Sequence, residues 1–178
     1  MSPSRRYDEF VAVESTLVPV EEYLRTTYKP ACDYIDGVLR PKAMPTRKHG
    51  LIQARLTQLL NMGWPALEAV SEMSVRIREG KYLVPDVLVQ RRTNIQDPYA
   101  TEPVLACVEI LSPDDRFSDV VAKCEDYLAW GAEGAWIIDP QTRQAWECQT
   151  GGRPHEVTDV LTVAEFSISI SELFAPLD

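Results

Sequence analysis

The chain has 178 residues, of which 45% are hydrophobic and 25% charged, and this mix predicts a single domain over residues 1–178 with a core of ordinary size. Its net charge of −9 argues against a protein that coats nucleic acid through its overall field. Its four cysteines are widely spaced without a Cys-x-x-Cys pair, and with two histidines they suggest neither a disulfide framework nor a zinc site.

The beginning of the chain gives no sign of membrane targeting. Residues 1–10 are polar and lack the apolar segment of a signal peptide. No apolar run approaches the roughly 20 residues that a membrane span needs. We therefore expect a cytoplasmic protein without a membrane partner. Residues 1–17 show no hydrophobic period and are predicted to be irregular.

A short helix and a hairpin are predicted next. Pro19 suits the first position of a helix, and this helix is expected to end before Pro30. Residues 32–35 and 38–42 then predict two strands joined by a tight turn at Asp36-Gly37.

The middle of the chain predicts a core helix followed by two strands. Thr46 is a plausible N-cap, and an apolar stripe at helical spacing continues from there to Gly63. Residues 68–78 alternate between apolar and polar side chains as a strand with one wet face does, and residues 82–90 predict an apolar returning strand. The polar residues 91–103 predict a loop.

A strand, a helix and a second strand follow this loop. Residues 104–111 are apolar enough for a central strand. Ser118 is the predicted N-cap of the next helix, which ends at Gly131. Residues 135–138 form another apolar strand, and this order implies a right-handed parallel crossover.

The element order predicts an α/β fold. A core at about residues 46–140 is expected to form a mixed sheet flanked by helices, preceded by the hairpin and followed by a β-rich tail.

Two of the predicted strands each carry one carboxylate, Asp86 and Glu109. An isolated ionised carboxylate in a buried strand costs several kcal/mol, roughly, unless cations or hydrogen bonds compensate it. Lys123 follows in the predicted helix, and Asp, Glu and Lys in this order are the parts of a metal-dependent phosphodiesterase. Mg²⁺ suits such a site, because it takes a few carboxylates, keeps several waters and accepts phosphate oxygens. The backbone carbonyl of Ile110 is a natural further ligand.

A purely structural interpretation of the two acids remains open from composition alone. Asp86 would pair with an arginine, and Glu109 would face solvent at a strand end. The basic residues of the acid-free region 37–67 have two interpretations as well, a local basic face or ordinary solvated side chains. They are Arg40, Lys42, Arg47, Lys48 and Arg55.

Four short motifs carry a family resemblance: Pro85-Asp86, Val108-Glu109-Ile110-Leu111-Ser112-Pro113, Lys123 followed by Tyr127, and Trp136-Ile137-Ile138-Asp139-Pro140. Together with Tyr34-Ile35-Asp36-Gly37 they resemble the Uma2 family of restriction endonucleases, within the PD-(D/E)XK nuclease superfamily. The resemblance implies the restriction-endonuclease-like fold, with Asp86 on the second core strand, Glu109 on the third and Lys123 on the following helix. The usual superfamily lysine would stand at Leu111. In this family the lysine is on the helix instead, where Lys123 is found.

The resemblance implies two further site residues. His49 lies at the start of the core helix, where the family tends to have a histidine; an ordinary capping or surface role is the alternative. Asp33 stands where the family commonly has a glutamate.

From these residues and the resemblance we predict a Mg²⁺-dependent endonuclease acting on DNA, with Mn²⁺ as a possible substitute and a homodimer as a possible assembly. The main alternative is a catalytically inactive nuclease-fold protein that binds a partner or nucleic acid. An unrelated structural protein is a third hypothesis, and it requires Asp86 and Glu109 to lie far apart.

Overall fold

A computed structural model describes residues 17–178 of the chain, so the predicted irregular start lies, apart from Leu17, outside the described residues. None of the helices within this range combines the length and apolar character that a membrane crossing needs. In chain order, the helices and strands are α1 (Val20–Arg25), β1 (Cys32–Ile35), β2 (Val38–Pro41), α2 (Arg47–Gly63), β3 (Leu67–Ser71), β4 (Val75–Arg78), β5 (Lys81–Leu83), β6 (Val87–Arg91), β7 (Ala106–Ile110), α3 (Phe117–Trp130), β8 (Gly134–Asp139), β9 (Gln144–Glu147), β10 (His155–Val157), β11 (Val160–Val163), β12 (Phe166–Ser169) and α4 (Ile170–Phe174).

A six-stranded sheet forms the centre of the fold, with the strand order β10-β9-β8-β7-β6-β3. Strands β7 and β8 pair in parallel through α3, and the other neighbours pair antiparallel. The predicted parallel crossover, the central position of residues 104–111 and the α/β class with a mixed sheet are therefore confirmed.

The two faces of this sheet pack on different helices because side chains alternate along a strand. On β7, Ala106, Val108 and Ile110 belong to the apolar cluster that includes the buried side chains of α2. Cys107 points the other way, into the cluster that contains the buried side chains of α3. Glu109 has the same parity as Cys107 and therefore faces α3.

A smaller four-stranded sheet, with the order β2-β1-β5-β4, contains the predicted hairpin. Strands β1 and β2 pair antiparallel around Asp36 and Gly37, which both have positive φ angles, 48° and 91°. The hairpin is confirmed. The β-rich tail is confirmed as well: β10 extends the large sheet, and β11 pairs with β12 in a two-stranded sheet.

The two long strands predicted for residues 68–78 and 82–90 are each divided in the structure. Strands β3 and β6 belong to the large sheet, whereas β4 and β5 belong to the small one. The chain changes sheet at Glu72, where φ is 55°, and again at residues 84–86. Hydrophobic patterning cannot show the second break, because the buried side chains of Leu83 and Val87 stand on its two sides. Asp86 consequently lies immediately before β6. Our prediction that it lies within the strand is wrong.

Three of the four ends of the two long helices agree with the predicted ends. The Thr46 hydroxyl accepts a hydrogen bond from the His49 backbone N–H at 3.2 Å, as an N-cap does, and α2 continues to its predicted end. Gly131 ends α3 in a left-handed conformation with φ of 111°. The prediction of Ser118 as the N-cap of α3 is wrong. Arg116 occupies that position without a side-chain hydrogen bond, and Ser118 lies inside the first turn.

Candidate active site

A cavity of about 440 Å³ opens where the small sheet meets the start of β6, the end of β7 and helices α2 and α3. Several charged or titratable side chains line it: Asp33, Lys42, His49, Asp86, Glu109 and Lys123. All five side chains that the sequence singled out for a site, Asp33, His49, Asp86, Glu109 and Lys123, are among them.

Asp86 is buried and has a partner on each carboxylate oxygen. Oδ1 accepts a hydrogen bond from Lys42 Nζ at 2.6 Å, and Oδ2 accepts one from the Ile110 backbone N–H at 2.6 Å. His49 Nε2 lies 3.4 Å from Oδ2. Burial alone would raise the pKa of Asp86, but the polar contact with His49 and the charge of Lys42 outweigh burial, so this pKa lies below its ordinary value.

Glu109 is also buried, on the face of β7 that meets α3. Its Oε1 accepts hydrogen bonds from Tyr127 Oη at 2.6 Å and from Lys123 Nζ at 2.9 Å. Its Oε2 lies 3.8 Å from Lys42 Nζ. Burial raises the pKa of Glu109, and the charges of Lys123 and Lys42 offset this only in part, so the pKa lies above its ordinary value.

Lys123 connects Glu109 with the small sheet. Its Nζ lies 2.9 Å from Glu109 Oε1 and 3.1 Å from Asp33 Oδ2. Lys123 and Tyr127 are four residues apart, which places both on one face of α3 and within reach of the same carboxylate. Burial lowers the pKa of Lys123, but the charges of Glu109 and Asp33 outweigh burial and raise it. The ammonium group is therefore held in its charged form.

Asp33 and His49 line the cavity from two different elements, β1 and α2. Asp33 is buried on β1, and its Oδ1 accepts a hydrogen bond from the Val84 backbone N–H at 2.7 Å, which ties the small sheet to the segment before Asp86. His49 is buried in the first turn of α2, so the surface role that we left open for it is excluded. Its Nδ1 has no hydrogen-bond partner among residues 17–178.

Two contributors to the site were not assigned a role from the sequence. Lys42 appeared only as a member of the acid-free region, and Tyr127 only as part of a motif. The spacing of Tyr127 from Lys123 was a usable signal. For Lys42 there was no comparable signal, because Asp86 lies 44 positions away and next to a strand of the other sheet.

The structure differs in two details from the structural interpretation of the two acids. Asp86 is paired with a lysine instead of an arginine, and Glu109 is 4% exposed instead of facing solvent. Both acids approach the same ammonium group, that of Lys42, at 2.6 and 3.8 Å. The two acids are therefore close together, which removes the condition that an unrelated structural protein would require.

The cavity's donor set can be compared with the needs of metal ions. Within residues 17–178 no group of three or more His, Cys, Asp and Glu side chains is arranged to hold a metal ion. Two carboxylates, from Asp86 and Glu109, nevertheless flank one cation, the ammonium of Lys42. Such a pair fits Mg²⁺, which binds through one or two carboxylates and keeps several waters, better than it fits zinc. Ile110 lines the same cavity.

The fold has been seen before in a solved structure. The crystal structure of a putative nuclease belonging to DUF820 from Anabaena variabilis ATCC 29413 matches with a TM-score of 0.75 and 23% identity, over 89% of this chain and 98% of that one. The cryo-EM structure of a DrdV–DNA complex gives a TM-score of 0.43 and 19% identity, over 74% of this chain and 11% of that one. No curated protein matches the chain.

The family comparison agrees with the motifs around the cavity. The profile of the Uma2 family, described as "Putative restriction endonuclease", matches residues 20–175 and so includes every residue of the site. The chain belongs to the Uma2 family of putative restriction endonucleases.

Proposed function

We propose that the protein is a divalent-metal-dependent endonuclease that hydrolyses phosphodiester bonds in DNA, with Mg²⁺ as the natural ion and Mn²⁺ as a substitute. One observation carries the proposal: Asp86 and Glu109 flank a single cation position in a cavity that also contains the Lys123 ammonium. Membership of a restriction-endonuclease family supports the reaction class.

In this proposal Asp86 and Glu109 hold the metal ion, with the backbone carbonyl of Ile110 as a further ligand. A divalent ion held there would supply a Lewis acid for the phosphate and would lower the pKa of a bound water. Lys123, fixed by Glu109 and Asp33, donates to a phosphoryl oxygen or orients the attacking water.

The remaining residues position the reacting groups. Tyr127 holds Glu109 Oε1 and so leaves Oε2 directed towards the cation position. His49 and the Ile110 backbone N–H hold Asp86 Oδ2. These contacts restrict the rotamers of both acids, which is the condition for a site that binds a small octahedral ion.

DNA as the substrate is supported by the charges at the border of the cavity. Arg40 and Arg116 line the cavity, and both are exposed. Cationic side chains at such a border can contact the phosphates that flank the scissile bond. Cutting both strands of a duplex calls for two active sites, so we further propose that two copies act together.

Plasmid and single-stranded DNA, incubated with Mg²⁺, Mn²⁺ or a chelator, test the proposed function. We expect the wild type to cleave only with a divalent ion, and Glu109→Ala to be inactive. Glu165→Gln, which removes a surface carboxylate far along the chain from the site, is the matched control and retains activity. Metal-independent cleavage, or full cleavage by Glu109→Ala, contradicts the proposal. DNA binding without any cleavage supports the inactive-module alternative.

A further inference from the structure

Lys42 has no part in the roles proposed so far, although it contacts both acids of the site. Its Nζ donates to Asp86 Oδ1 at 2.6 Å and to the Val84 backbone carbonyl at 2.7 Å, and lies 3.8 Å from Glu109 Oε2. The ammonium thus lies between the two carboxylates that we assign to the metal ion. A positive charge already stands where the divalent ion would bind.

The charges of the site do not favour both cations at once. Three carboxylates, of Asp33, Asp86 and Glu109, face two ammonium groups, of Lys42 and Lys123, which leaves a formal charge of −1. A divalent ion added to this set brings the charge to +1 and places two cations side by side in a buried site. If the ion replaces the Lys42 ammonium, the formal charge becomes zero.

Displacement of Lys123 by the ion would be less favourable, because Lys123 has two short carboxylate contacts and Lys42 has one. Lys123 is held by two carboxylates, through Glu109 Oε1 and Asp33 Oδ2. The other oxygen of Glu109, Oε2, is the one that faces Lys42. Lys42 has only one short carboxylate contact, with Asp86, and its other close partner is a neutral carbonyl. Lys42 is therefore the cation that is easier to replace.

The structure also offers a place for a displaced Lys42 side chain. Lys42, His49 and Asp86 form part of the lining of a second cavity, of about 470 Å³, which also contains Glu72. Glu72 is exposed and makes no ion pair within residues 17–178. The Lys42 backbone N–H donates to the Ala31 carbonyl at 2.8 Å, so the backbone can stay in place while the long side chain rotates.

We propose that Lys42 is an internal competitor of the divalent ion: its ammonium occupies the cation position between Asp86 and Glu109 in the metal-free protein, and the ion binds by displacing it into the second cavity. This inference rests on the proposed function, because the ion is the same one. A site that is occupied by its own cation binds the ion more weakly in proportion to the fraction of free sites. Lys42 therefore sets the ion concentration at which the protein becomes active.

Manganese titration of three variants tests this inference without any measurement of cleavage. The dissociation constant for Mn²⁺ is measured by isothermal calorimetry, and free Mn²⁺ by electron paramagnetic resonance, at one pH and ionic strength. We expect Lys42→Met to bind Mn²⁺ at least about tenfold more tightly than the wild type, because the competitor is gone.

Lys81→Met is the matched control. Lys81 also lines the first cavity, and its Nζ lies 2.6 Å from Asp126 Oδ2 with 17% of the side chain exposed, against 15% for Lys42. It has no ion pair with Asp86 or Glu109 among the described residues. We expect its Mn²⁺ affinity to equal that of the wild type.

A second measurement uses the unmodified protein, so it does not depend on the folding of a variant. Brief acetylation of lysines followed by mass spectrometry gives the labelling of each lysine in a chelator and in saturating Mn²⁺. We expect labelling of Lys42 to rise severalfold with Mn²⁺, and labelling of Lys81 to stay constant.

The outcomes separate the two proposals. Equal Mn²⁺ affinity in the wild type and Lys42→Met, with unchanged Lys42 labelling, overturns the competitor role and leaves the nuclease proposal standing. Absence of Mn²⁺ binding in both proteins, together with absence of cleavage, overturns both. If Lys42→Met does not fold, Lys42→Gln takes its place, because its amide still donates to Asp86 but carries no charge.

Discussion

Strand β6 has a cluster of opposite charges at each end, and the two clusters differ in burial far more than in distance. At its beginning, Lys42 lies 2.6 Å from Asp86, with side chains 15% and 3% exposed. At its end, Arg91 lies 2.9 Å from Glu133 and 3.0 Å from Glu165, with all three side chains 43–45% exposed. Both would count as good ion pairs by geometry.

A short distance between opposite charges is therefore weak support for function. An exposed pair contributes about 0 to 1 kcal/mol, since water and salt screen it. A buried charge costs several kcal/mol, roughly, unless its surroundings compensate it. This fold concentrates the cost of burying charges in one cavity, which is lined by Asp33, Asp86, Glu109, Lys42 and Lys123. This is the feature that distinguishes the site from the Arg91 cluster.

The largest expected effect is on cleavage, when an acid is replaced at the buried end. Asp86→Asn and Glu109→Gln should each lower the rate of DNA cleavage by a factor of about 10³, because each removes one charge from the proposed metal site. Glu133→Gln at the exposed end should leave the rate unchanged. Rates are measured on supercoiled plasmid at saturating Mg²⁺. Comparable losses of cleavage rate for variants at the two ends of β6 would contradict the assignment of the site to the buried end.

The two ends should also differ in their effect on stability. Lys42→Met leaves Asp86 buried without its closest cation, and should lower the free energy of unfolding by about 3 kcal/mol in a chelator. Arg91→Met should lower it by at most about 1 kcal/mol. Urea unfolding followed by circular dichroism gives both values. A loss for Arg91→Met as large as that for Lys42→Met would show that burial does not decide the strength of these pairs.

Replacement of the second buried lysine should act mainly on the reaction. Lys123→Met should lower kcat by a factor of about 10², because Lys123 is proposed to donate to the phosphate or the attacking water. The apparent Mg²⁺ requirement should change much less. Single-turnover kinetics across a Mg²⁺ series separate the two quantities. An unchanged kcat in a folded variant would assign Lys123 a structural role only.

The smallest expected effect is a pH dependence of stability. The pKa of Asp86 lies below its ordinary value, so its ionised form stabilises the fold at neutral pH, and this contribution is lost as the pH falls below about 4 and through the lowered pKa. The stability difference between wild type and Asp86→Asn should therefore shrink from pH 7 to pH 3.

The exposed end provides the comparison for this pH effect. The hydrogen bond from Arg91 lowers the pKa of Glu165, so Glu165→Gln should show the same direction with a smaller amplitude. Added salt should reduce the effect at Glu165 and leave that at Asp86 nearly unchanged, because buried pairs are screened much less. The free energy of unfolding, measured at 0.1 and 1 M NaCl, gives the salt dependence of the pH effect at each of the two residues. Equal salt sensitivity at the two residues would contradict the assignment of Asp86 to a desolvated site.

Local patterns in the sequence were sufficient for much of the fold. The turn at Asp36-Gly37, the cap at Thr46, the end of α3 at Gly131 and the parallel crossover depend on neighbouring residues or on chain connectivity. The division of the two long strands was not predictable in this way. Buried apolar side chains stand on both sides of residues 84–86, at Leu83 and Val87, and only the pairing of distant strands decides which sheet each part joins.

The sequence by itself was sufficient for the α/β class and most of the element order, since these follow from short-range periodicity. Its motifs, through the family resemblance, singled out the two acids and the lysine of the candidate site. The tertiary structure alone decided that Lys42 stands between Asp86 and Glu109. That placement depends on how the small sheet packs against the large one, and Lys42 and Asp86 are 44 positions apart. The partner of a buried charge is set by long-range packing, because burial removes the water that would otherwise solvate it and leaves only the groups that the fold brings near.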